Sequence, residues 1–130
     1  MIVDTSALAA ILFQEEDAIL YARALADSQG LALISAATLV ELTMVVEGRA
    51  GPQAGPEIED LLRRFDIRVW PVTSKHAEIA RQAWRRFGKG RHAAALNFGD
   101  CFSYALASSA DAPLLFKGND FAQTDVKAAI

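Results

Sequence analysis

The chain has 130 residues, enough for one domain with a substantial core and too few for two. Apolar residues make up 52% and charged residues 22%, which excludes a disordered tail, a collagen-like fibre and a low-complexity linker. The net charge of −3 conceals a split, since residues 1–62 carry ten acids and two bases while residues 63–130 carry eleven bases and six acids. Such a split predicts an acidic site and a polyanion-facing surface on one molecule, or a solvated surface of uneven charge.

Met1 to Asp4 is a short apolar run that ends in Asp-Thr-Ser. Thr5 or Ser6 is a good N-cap, and Ala7 to Phe13 then reads as a helix. A second helix is expected from Glu15 to Ser28, with acids in its first turn and Gly30 as its stop. Leu31 to Ile34 reads as a buried strand. Ser35 caps a long helix to about Gly48, with Leu39, Leu42, Val45 and Val46 as its apolar stripe. Gly51, Pro52, Gly55 and Pro56 mark a loop, and an amphipathic helix follows over Glu57 to Phe65. Ile67 to Val72 reads as a strand, and Thr73 or Ser74 caps a helix that reaches Phe87. Gly88 to His92 is a basic break. Gly99 to Ser109 reads as a closely packed helix, Pro113 to Phe116 as a fourth strand, and Gly118-Asn119-Asp120 as a turn.

Strands alternating with helices predict a three-layer α/β fold. Its central sheet is mainly parallel, with four to five short strands flanked by helices. Residues 1–130 form a single domain. The lone cysteine, Cys101, excludes an internal disulfide framework and a Cys-ligated zinc knuckle, and it reads as a small core residue. The N-terminus lacks the basic start of a signal peptide. No apolar run approaches the roughly 18–20 residues of a membrane span. A cytoplasmic protein is therefore expected.

In an open parallel sheet, ligands bind beyond the C-terminal strand ends. Asp4 ends the first strand, Glu41 lies on the first turns after the second, Asp100 opens a late helix, and Asp120 lies past the last strand. Packed carboxylates repel one another, and a divalent cation relieves the repulsion. All-oxygen ligands select magnesium, or manganese, over zinc. Such a site suits phosphodiester hydrolysis by a metal-activated water. Ser6 is expected to orient Asp4 or that water, and Asn97 to cap the helix that carries Asp100. Residues 81–92 supply Arg81, Arg85, Arg86, Lys89, Arg91 and His92 with no acid, a phosphate-binding segment. Trp84 and Phe87 within it read as core anchors. Lys117 is either a further phosphate contact or simply exposed.

Four stretches together resemble the PIN-domain family: Met1 to Ala7, Glu41 after the second strand, Asn97 to Ala107, and Pro113 to Phe121. The likeness covers the whole chain and is similar to the VapC-type toxins of prokaryotic toxin–antitoxin pairs. It implies a PIN-like fold and a magnesium-dependent endoribonuclease. It also implies a VapB-type antitoxin partner over the active site and a homodimer. It makes Asp4 and Asp100 the main metal ligands, Glu41 a third acid that binds metal or aligns water, and Asp120 a fourth, with Thr5, Ser6 and Asn97 around them. Phe116 and Gly118 depart from the commoner family pattern, which leaves Asp120 and Asp125 as alternatives for the fourth acid. Two other readings stay open: a receiver-like phospho-signalling domain, with Lys117 sensing phosphate, and a non-catalytic RNA-binding PIN module.

Overall fold

The computed structural model describes all 130 residues. In chain order these form β1 (Ile2–Val3), α1 (Thr5–Leu12), α2 (Ala18–Asp27), β2 (Leu33–Ser35) and α3 (Ala36–Ala50). After a 3-10 turn at Pro52–Ala54 come α4 (Gly55–Arg64), β3 (Arg68–Trp70), α5 (Ser74–Phe87), α6 (Phe98–Ala110) and β4 (Leu114–Leu115). A last 3-10 turn spans Phe121–Gln123.

The four strands form one sheet in the order β3-β2-β1-β4, and every pairing is parallel. Alternate side chains along each strand serve opposite faces. Val3, Ile34 and Leu115 enter a core with Leu8, Leu25, Leu42, Val46 and Ile58 from α1 to α4. Ile2 and Leu114 enter a second core with Ala83, Phe87, Tyr104 and Leu106 from α5 and α6. The expected three-layer α/β architecture is thus present, with four strands. Burial on both faces explains why β1 and β4 are unbroken apolar runs. The chain steps from β1 to β2 to β3, then crosses to place β4 on the other side of β1. That reversal creates a switch point at the C-terminal ends of β1 and β4. There the Asp4 N–H donates to the carbonyl of Leu115 at 2.9 Å.

Three local expectations are corrected. The cap of α1 is Asp4 rather than Thr5 or Ser6, because its carboxylate reaches the Ser6 N–H and the helix begins at Thr5. α2 starts at Ala18 rather than Glu15, since Gln14 adopts a left-handed φ of 53° and turns the chain. The second strand lies two residues later than expected, at Leu33–Ser35, and Leu31 is exposed. By contrast α5 spans Ser74–Phe87 with Thr73 as its cap, donated to by the His76 N–H at 3.1 Å.

Candidate active site

Asp4 is buried, with both carboxylate oxygens occupied. Oδ2 accepts from the Ser6 N–H at 2.9 Å and the Ser6 hydroxyl at 2.6 Å. Oδ1 accepts from the hydroxyl of Ser103 on α6 at 2.6 Å. Ser103 in turn lies 3.1 Å from the hydroxyl of Thr38 on α3, and both are fully buried. With the Ser103 proton committed to Asp4, Thr38 is the donor in that pair. The Ser6 oxygen also accepts from the main-chain N–H of Lys117 at 2.9 Å, which ties the end of β4 to the same carboxylate.

Glu41 is half-buried one α3 turn beyond Thr38. Its Oε1 accepts from the Thr5 hydroxyl at 2.5 Å. Burial pushes its carboxyl above the ordinary range, aided by the charge of Asp4 and opposed by the Thr5 hydrogen bond. Asp100 sits in the first turn of α6. It forms a reciprocal capping box with Asn97, each accepting from the other's main-chain N–H at 2.9 Å. Burial pushes its carboxyl up to about 7, against the Asn97 N–H, and the charges of Asp4, Glu41 and Asp120 add to the rise.

Asp4, Glu41 and Asp120, from three distant segments, therefore all act on Asp100, and Asp4 also acts on Glu41. Asp120 stands exposed at the mouth. Asp125 stands elsewhere, accepting from the Tyr104 hydroxyl at 2.7 Å and from Arg86 at 3.4 Å. No three carboxylates, histidines or cysteines converge on one point as a ready ligand set. The donor chemistry nonetheless fits a hard cation: Asp4, Glu41 and Asp100 offer only oxygen donors, with the Thr5, Ser6 and Ser103 hydroxyls beside them. Magnesium in particular takes few protein carboxylates and keeps waters.

Of the predicted phosphate contacts, the structure distributes the side chains unevenly. Arg85, Lys89, Arg91 and His92 are exposed at the end of α5 and in the following loop. Arg91 stacks over Trp84 at 4.1 Å, and Arg86 lies over Phe87 at 4.6 Å while pairing with Asp125. Just past this loop, the Gln123 amide donates to the carbonyls of Ala93 and Asn119 at 3.4 Å and so ties it to the turn that carries Asp120. Lys117 is different. Its ammonium is held by Glu15 and by Asp17, the latter at 2.9 Å, so it is an ion-pair partner rather than a free phosphate contact. Trp84 also departs from expectation. Phe87 is buried, but Trp84 is 44% exposed and lines a groove. Cys101 is buried, and desolvation pushes its thiol up to about 11, as a core residue requires.

Sequence reasoning missed Ser103 and Thr38. The available signal was spacing: each lies three residues from an acid on the same helix, Ser103 after Asp100 and Thr38 before Glu41, so each shares that acid's face. Gly99 was also missed. A Cβ there would overlap the Glu41 carboxylate, so the glycine is what lets α3 and α6 bring Glu41 and Asp100 together.

Comparison with known proteins adds a separate line of observation. The family model described as "PIN domain" matches residues 1–127. The chain is 48% identical to a protein named ribonuclease VapC of Mycolicibacterium smegmatis, over 98% of both chains. It is 46% identical to ribonuclease VapC28 of Mycobacterium tuberculosis, over 100% of this chain and 98% of that one. Among solved structures it superposes on VapC20 of Mycobacterium tuberculosis, described as a sarcin-ricin loop cleaving toxin. That match has a TM-score of 0.78 at 21% identity and covers 96% of this chain and 95% of the other.

Proposed function

The chain belongs to the PIN-domain family, and from that premise we propose that it is a metal-dependent endoribonuclease, the toxin of a VapBC-type toxin–antitoxin pair. Near-full-length identity of 44–48% to proteins named VapC ribonucleases supports the activity and the toxin role. One structural observation carries the reading: Asp4, bonded to Ser103 of α6, and Glu41, pressed against Gly99 next to Asp100, are gathered with Asp100 at the C-terminal switch point of a parallel sheet. The receiver-like alternative loses its phosphate sensor, because Lys117 is engaged by Glu15 and Asp17.

In this proposal Asp4, Asp100 and Glu41 hold magnesium, with manganese as a substitute. Such an ion supplies a Lewis acid for the phosphate oxygens and an acidified water. The chain's own groups prepare that site. Ser6 and Ser103 fix both oxygens of Asp4, and Thr5 fixes Glu41. Asn97 sets the rotamer of Asp100 through the capping box. Asp100, with its carboxyl near 7, holds a proton for part of the population at neutral pH until positive charge arrives. Asp120, not Asp125, is the fourth acid. Arg85, Lys89, Arg91 and His92, which have no carboxylate partner, hold RNA phosphates, whereas Arg86 is already paired with Asp125.

A VapB-type antitoxin that covers the acids, a homodimer and a cytoplasmic setting complete the proposal. No helix is long and apolar enough to cross a membrane. The test is cleavage of RNA by the purified chain with and without magnesium, beside Asp4→Asn. The proposal expects metal-dependent cleavage that falls a hundredfold or more in the variant. Cleavage at the normal rate by Asp4→Asn would overturn the assignment.

A further inference from the structure

We propose that Lys117 is a positioning residue for the acid site: its ammonium, held by Glu15 and Asp17, seats its own main-chain N–H on Ser6 and so fixes the carboxylate of Asp4. This inference rests on the nuclease reading above and deepens it. One residue makes both contacts. The Lys117 N–H donates to the Ser6 hydroxyl oxygen at 2.9 Å, and that hydroxyl donates to Asp4 Oδ2 at 2.6 Å. At the far end of the side chain, the ammonium donates to Glu15 and, at 2.9 Å, to Asp17 Oδ1. Both acids are braced. Asp17 Oδ2 accepts from the hydroxyl of Tyr21 on α2 at 3.3 Å, and the Glu15 N–H donates to the carbonyl of Ala10 on α1 at 3.0 Å. Lys117 therefore bonds the first turn of α1 through its main chain and the turn that follows α1 through its side chain.

The stretch between β4 and Asp120 needs such an anchor. After Leu115 the chain leaves the sheet, and Gly118, at a φ of 97°, turns it. Within residues 116–119 the Lys117 N–H makes the one main-chain hydrogen bond that crosses to α1. The Ser6 hydroxyl has a single proton, which it gives to Asp4, so its oxygen is free to accept from Lys117. Linked bonds polarise one another, and the bond from Lys117 strengthens the one to Asp4. Glu15 and Asp17 hold the ammonium well above the ordinary lysine range, so it stays charged at neutral pH. The Lys117 side chain is 36% exposed, and ion pairs this close to water contribute little to stability. Partners 102 and 100 positions away in sequence thus serve placement more than stability. Placement matters because small displacements in a catalytic constellation weigh heavily on rate.

The test uses the full chain and two variants. Lys117→Met removes the ammonium, and the double variant Glu15→Gln with Asp17→Asn keeps the lysine and removes its hold. Hydrogen-exchange protection of the Lys117 amide, followed by nuclear magnetic resonance, reads the anchor without recourse to catalysis. Protection is expected to fall about tenfold in both variants, with thermal midpoints close to that of the parent. The kcat for RNA cleavage is expected to fall about tenfold in both, with KM unchanged in Lys117→Met. Unchanged protection in both variants would overturn the anchor, even with metal-dependent cleavage intact. Lost protection with full kcat would overturn the positioning role. A fall in kcat for Lys117→Met alone would also overturn it, and would place the ammonium on the RNA itself. Lost protection in the variants of a parent that does not cleave RNA would sink the nuclease reading and leave the anchor standing, so the two failures are distinct.

Discussion

Ser103 donates its hydroxyl to Asp4 Oδ1 at 2.6 Å across 99 residues of sequence, with Thr38 lying 3.1 Å behind it. The contact locks α6 to the end of β1 and fixes the one acid that is sealed from solvent. Ser103→Ala leaves a buried carboxylate oxygen without its donor, a cost of about 1–3 kcal/mol. Its thermal midpoint should fall, and kcat should fall more than KM changes. A normal kcat with a lowered midpoint would make Ser103 purely architectural.

Gly99→Ala should separate the chemistry from the fold. The added methyl collides with the Glu41 carboxylate, the far end of a flexible side chain, so Glu41 swings away at small cost in stability. Cleavage should drop at least tenfold, on the scale of one misplaced group in a constellation. Circular dichroism and thermal melts should remain close to those of the parent.

The acid rim predicts an unusual pH dependence in chelator. Burial raises the Asp100 carboxyl from 3.8 to about 7, so the folded chain binds this proton more tightly than the unfolded chain. Stability from this group is complete below about pH 4 and is lost as pH rises to about 7. Glu41, also raised, adds to the same slope. In Asp100→Asn the slope should flatten, and at pH 8 magnesium should raise the midpoint of the parent but not of the variant. Melts recorded from pH 5 to 8 check both.

Lys117 and Arg85 should behave oppositely toward RNA. Removing a phosphate contact lowers the slope of log affinity against log salt by about one. Lys117→Met should leave that slope unchanged, since Glu15 and Asp17 already hold its ammonium. Arg85→Gln should lower it. Equal reductions in the two variants would return Lys117 to the RNA surface.

Much of this was legible in the sequence because it depends on local signals. Thr73 and Asn97 are strong caps, and the helices they open start where expected. Ile2-Val3 and Leu114-Leu115 are apolar on both faces and became the paired strands β1 and β4. The acids were legible because each follows a strand or opens a helix, and topology alone then brings them to one end. What was not legible depends on distant pairing. Glu15 and Asp17 looked like the charged first turn of a helix, but Lys117, roughly a hundred residues away, draws them into a turn instead. Trp84 lies on a helix whose opposite face is buried, and periodicity does not show that its rim would stay open as a groove. Ser103 is one hydroxyl among small residues, and only the crossing of α6 over β1 gives it a partner.

The central claim is that these acids jointly bind a divalent cation, and titration with manganese followed by electron paramagnetic resonance tests it without recourse to catalysis. The purified chain should bind manganese saturably in competition with magnesium, and Asp4→Asn and Asp100→Asn should each weaken that binding at least tenfold. Equal manganese affinity in the parent and both variants would contradict it.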